Sequence, residues 1–121
     1  YLRDRGPGAV VATDSVQLTG PFEGQVGQRL EFSFFAAPPA ARFVIAWSPN
    51  LNGSQPSGHL IDLGAPASIL GFGTCTPSGT GTYLTPPVPA SATGHVLYVE
   101  VSAQDASGDY YDSNPVGVFI Q

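Results

Sequence analysis

Lysine and methionine are both absent from this 121-residue chain, and its one cysteine, Cys75, leaves no partner for an intrachain disulfide. Charge is scarce as well: 11% of the residues are charged, against about 25% in an average soluble domain. The four basic residues, Arg3, Arg5, Arg29 and Arg42, are scattered, and the net charge is −5. Nucleic-acid binding needs clustered Lys and Arg to displace counterions from phosphates, so that class is excluded. Anionic membrane surfaces are poor partners for the same reason. No run approaches the roughly 20 apolar residues of a membrane span, so no membrane insertion is expected. Without a methionine, Tyr1 is not a translation start. The preferred expectation is a mature chain, located outside the cell or on its surface after removal of a signal peptide. A chain cut at a domain boundary is the other reading.

What is abundant is punctuation. Fifteen glycines and twelve prolines separate short runs that alternate in polarity, the period of a half-buried strand. The clearest is HVLYVEVSAQ (95–104), with Leu97, Val99, Val101 and Ala103 on one side. In RLEFSFFA (29–36) the inward set is Leu30, Phe32 and Phe34; in RFVIAWS (42–48) it is Phe43, Ile45 and Trp47. PVGVFIQ (115–121) turns Val116, Val118 and Ile120 inward. Weaker strands are expected at 9–13, 15–20, 59–64, 67–72 and 79–87. No dozen residues keep a helical repeat free of Gly or Pro. The expected fold is all-β, an antiparallel Ig-like β-sandwich of about seven to nine strands with an extended N-terminal arm. The division is residues 1–26, arm and first strands, and residues 27–121, the sandwich.

From 79 to 121 the chain reads GTGTYLTPPVPASATGHVLYVEVSAQDASGDYYDSNPVGVFIQ. The order of a Gly-Thr strand, a "PVP" turn, a "GHVLYVE" strand, an acidic-Gly hairpin and a closing "SNPVGVFIQ" resembles the C-terminal Ig-like modules of exported planctomycete-type bacterial proteins. The upstream FSFFAAPPAARFVIAWS and HLIDLGAPASIL fit the same pattern, so the resemblance covers about residues 27–121. It implies export, a surface location and a sandwich fold, and it brings no catalytic residues.

Catalytic signals are few. His59 and His95 each open an expected strand after a glycine, and no G-x-S-x-G elbow frames a nucleophile. The histidines with the distant Cys75 give no zinc-ligand spacing, and Cys75 has no basic neighbour to activate it. No enzyme and no cofactor are expected. QDASGDYYDSNP (104–115) offers hard oxygens from Asp105, Ser107, Asp109 and Asp112, a weak calcium candidate without EF-hand spacing. The competing reading is a hairpin whose acids are solvated shoulders of an Ala-Ser-Gly-Asp turn. Among the aromatics, Trp47 is in register with core residues. Tyr83, Tyr98 and Tyr110 are the candidate stacking platforms for a sugar ring. Asn52-Gly53-Ser54 fits a glycosylation sequon, which has meaning only in some hosts.

The remaining reading is structural. Low charge lets subunits pack without repulsion, and the N-terminal stretch lies outside the resemblance. Sandwich subunits that polymerise donate an extended segment to an open edge of the next copy, gaining a row of main-chain hydrogen bonds. Here Val10, Ala12, Val16 and Leu18 would fill the acceptor groove, and copies of the chain would build an extracellular filament or surface layer. Pairing of the same strand within its own domain is the alternative. A monomeric binding module for glycans or adhesion is the second function class.

Overall fold

The computed structural model describes residues 10–11, 13–53, 59–60 and 62–121, with side chains described for 16–53 and 62–121. Eleven strands follow in order: β1 (Val10–Val11), β2 (Thr13–Thr19), β3 (Glu23–Gly24), β4 (Glu31–Phe35), β5 (Arg42–Ser48), β6 (His59–Leu60), β7 (Ser68–Thr74), β8 (Gly81–Leu84), β9 (Val96–Gln104), β10 (Tyr110–Ser113) and β11 (Val116–Ile120). One turn of 3-10 helix at Ala90–Ala92 precedes β9. The fold is all-β, as the alternating pattern demands.

β9 organises the larger ladder. β5 pairs antiparallel along one edge of it, from Arg42 opposite Gln104 to Ser48 opposite Tyr98. β10 pairs with its far part and β11 with its near part. β7 extends the ladder beyond β5. β2 runs beside β10 through Thr13 and Val16, then pairs with β4 through Gln17, Leu18 and Thr19; β8 lies beyond β4.

The pairing is mixed, which corrects the antiparallel expectation: β2 with β10, β3 with β11, and β1 with β6 are parallel. Hairpins force antiparallel pairing only on strands joined by a tight turn. These partners are distant in sequence, so nothing local constrains their direction. The strands expected at 59–64 and 79–87 are shorter than their apolar pattern suggests, ending as His59–Leu60 and Gly81–Leu84. The proline-rich run after Leu84 cannot donate to a ladder.

One apolar cluster takes the inward residues of both ladders. Val16, Leu18, Phe32 and Phe34 meet Ile45, Val99, Val101, Val118 and Ile120, all buried. The edge-to-face pair Phe34–Phe43, with centroids 4.9 Å apart, joins β4 to β5 across it. Trp47 is half-buried against the same cluster. Cys75 is buried too, and burial pushes its thiol pKa up, away from the reactive thiolate form.

The break between β10 and β11 is stitched by side chains. Ser113 Oγ accepts from the Val101 amide (2.9 Å) and donates to the Asn114 carbonyl (2.8 Å). Asn114 grips the backbone of Leu18 twice: Oδ1 accepts from its N–H (2.9 Å) and Nδ2 donates to its C=O (3.0 Å). The amide group so replaces a missing rung of the ladder. Removing both bonds leaves two half-buried main-chain groups without these partners, so Asn114→Ala is expected to lower stability by about 1–3 kcal/mol. In urea unfolding the midpoint should fall with an unchanged slope.

Candidate functional site

The outward face of the larger ladder carries the residues without an evident structural task. Its geometry starts from β7, SILGFGT. Gly71 stands opposite Ile45 and Ile69 opposite Ala46, so Leu70 is an extra residue and β7 is bulged there. Leu70 packs against the core, and the Tyr83 hydroxyl donates to its carbonyl (2.5 Å). At Gly71 a Cβ would collide with the Tyr83 hydroxyl and ring, so only glycine fits beneath that phenol. With Leu70 and Gly71 both turned inward, Ile69 and Phe72 both point out despite a spacing of three. They are 69% and 80% exposed.

Three rows cross this face. Phe72 stands beside Val44, Ser102 and Asp112; Thr74 beside Arg42, Gln104 and Tyr110; Ile69 beside Ala46 and Glu100. All but Asp112 line a groove of about 840 Å³, apolar toward β7 and polar toward β10. Its inner end is closed by the segment Asp62–Gly64. Glu100, itself buried, accepts the amides of Asp62 (2.9 Å) and Leu63 (3.2 Å) through Oε1. Ser48 Oγ donates to the Gly64 carbonyl (2.5 Å), and Gly64 N–H donates to the Asn50 carbonyl. Leu63 is thereby held fully buried.

The residues expected to form sites are dispersed. Asp105 is spent on its own turn: Oδ1 accepts from the amides of Ser107 (2.9 Å) and Asp109 (3.0 Å), and Oδ2 from the Tyr111 hydroxyl (3.1 Å). Asp112 is fully buried on the groove side, where its Oδ1 accepts from Ser102 Oγ (2.8 Å). The four calcium candidates Asp105, Ser107, Asp109 and Asp112 are therefore not brought together. Strand alternation explains this, because Tyr110 and Asp112 share the outward side of β10 whereas Tyr111 turns to the core. Among the described residues no three His, Cys, Asp or Glu side chains converge to hold a metal.

Of the three sugar-platform tyrosines, Tyr110 lines the groove. Tyr98 lies on the same face, its ring beside Gly117 of β11. Tyr83 is directed inward, which removes it as a platform; its strand alternation placed it beneath Gly71 of β7. Val16 and Leu18 fill this chain's own core, 0% and 3% exposed. Val10 pairs with His59 through the β1–β6 ladder, and Ala12 lies outside the described residues.

The groove residues Ile69, Phe72 and Glu100 were not singled out by composition or motif. One sequence signal pointed there: from Leu63 to Val99 no Asp, Glu, Lys or Arg occurs. No family model and no curated protein matches the chain.

Two measurements check this geometry. Glu100→Ala should free the Asp62 and Leu63 amides, so their hydrogen exchange should accelerate while exchange in β9 stays slow. The hydrogen bond and charge of Asp105 raise the Tyr111 pKa above the ordinary tyrosine value. A raised pKa means the bond contributes below ordinary tyrosine titration and is lost as pH rises through the shifted value. In an absorbance titration, Asp105→Asn should lower the Tyr111 pKa toward the ordinary tyrosine value.

Proposed function

We propose that the chain is an exported, non-enzymatic structural module whose partner is a second copy of itself, built as an Ig-like β-sandwich of the planctomycete-type class. The sandwich reading rests on two ladders that share one core, with β2 crossing from β10 to β4. The assembly reading rests on β7. It is seven residues long, carries no charge and no proline, and pairs on one side only among the described residues. Edge strands are ordinarily guarded by charge, proline or a cover, because their open N–H and C=O groups template further pairing. An extracellular filament or surface layer is the setting that makes such an edge useful.

Donation of the N-terminal strand takes a definite form in this fold. Val16 and Leu18 occupy the chain's own core, so donation means exchanging β2 between copies, with Gly20–Phe22 as the connection. Exchange of an identical element is a low-cost route to assembly, since every contact already exists within one chain.

A second reading, a monomeric extracellular module for glycans, is favoured by the polar end of the groove. There Tyr110 stands beside Gln104 and Arg42, an aromatic face next to hydrogen-bonding groups.

Light scattering and negative-stain microscopy of the intact chain are expected to find assemblies. A strict monomer at the highest soluble concentration removes the self-association reading, and specific glycan-array binding by that monomer promotes the second. A chain lacking residues 1–19 is expected to lose cooperative unfolding, because two large core side chains go with them. A peptide of residues 10–19 added in trans should restore it. Failure of that rescue confines β2 to its own domain.

A further inference from the structure

We infer that β7 pairs with β7 of a second copy across a two-fold axis lying between Leu70 and Gly71, with Ile69 of each copy opposite Phe72 of the other. This inference rests on the self-assembly reading and specifies its two-fold contact; β7 pairing alone closes a dimer, and growth into a filament or layer takes the exchange of β2 as a second contact.

The register follows from the bulge. In a regular strand, side chains alternate, and an antiparallel partner must match outward positions with outward positions. β7 departs from alternation. Ile69 and Phe72 are outward and largely exposed, Leu70 packs on the core, and Gly71 and Gly73 lie over Tyr83 and Phe43. Ser68, at the end of the strand, is exposed and lines the groove, so the match is set by Ile69–Phe72. Two such strands can be matched face to face across Ile69–Phe72 in one register only. Ile69 then meets Phe72, and Leu70 meets Gly71. Slipping the partner by one or two positions either way sets an outward residue against an inward one. A bulge usually guards an edge; centred here, it makes the edge complementary to itself.

Charge selects the same occupant. The chain carries −5 overall, so two copies repel except where they meet through neutral surface. The uninterrupted neutral run from Leu63 to Val99 contains β7 and both its flanks. A basic or acidic peptide would find no opposite charge on this strand. A second β7 meets neither repulsion nor an unmatched charge, and gains an aromatic against a β-branched residue twice, a favourable cross-strand pair.

The test uses the intact chain. Ile69→Lys together with Phe72→Lys sets lysine against lysine at both cross-strand positions. Because both side chains are exposed, the melting temperature of the monomer should hold within a few degrees, while self-association weakens at least tenfold by analytical ultracentrifugation. Register is read separately by disulfide trapping in a Cys75→Ala background. Mixing Ile69→Cys chains with Phe72→Cys chains should give cross-linked dimers under mild oxidation, and either variant alone should give few. Association of the lysine variant at wild-type strength, or equal cross-linking in all mixtures, overturns the β7 pairing while leaving self-assembly standing. Absence of association in the wild type removes both. Capture of an extended peptide or an oligosaccharide at this edge by a monomer also overturns it.

Discussion

The grip of one asparagine on one strand underlies the rest of the molecule. β10 and β11 run end to end along the same edge of β9, and the ladder breaks between them at Ser113–Pro115. The break interrupts the ladder beside β2 as well, and an interrupted ladder leaves main-chain donors and acceptors in need of other partners. Asn114 supplies both missing bonds to Leu18, 96 positions away in sequence. Ser113 does the same service for the amide of Val101. With these in place, β2 can pass from β10 to β4 and carry Val16 and Leu18 into the core. Proline at 115 suits the break, since its lack of an N–H removes one donor that would otherwise need a partner.

The two faces of the larger ladder follow different rules. Inward, the demand is for volume, met by Val99, Val101, Ile45 and the buried phenylalanines. Outward, a buried glutamate holds the Asp62–Gly64 segment against the sheet and covers one end. The cover stops short of β7, where Ile69 and Phe72 remain exposed on a strand without charge. Apolar side chains isolated on a surface need no explanation. Here they share a groove, on a strand that pairs along one edge only among the described residues, and that combination is what the proposed association rests on.

Legibility in the sequence varied with how local the controlling physics was. β4, β5, β9 and β11 followed directly from alternation, and their inward residues are the buried ones, with Trp47 and Leu97 half-buried against them. The turn at Asp105–Asp109 was legible for the same reason, because its hydrogen bonds close within five residues. Tyr83 was not. Its alternation is clear, but the ring's destination depends on Gly71 leaving room in a strand that pairs elsewhere. Asp112 was read with the turn acids, although strand pairing with Ser102 sends it to the opposite side of Tyr111. Parallel pairing of β2, β3 and β1 had no sequence signal, since no turn joins the partners.

By itself the sequence determined the all-β class, the spacing of turns, the inward face of each long strand and the neutrality of the central run. Each depends on period two, on residue-specific turn chemistry, or on simple charge. The tertiary structure alone decided that β2 belongs between β10 and β4, that Asn114 clasps it, and that a bulge at Leu70 turns Ile69 and Phe72 to the same side. Those outcomes depend on which strands become neighbours, and on how one strand's backbone yields to another strand's side chain.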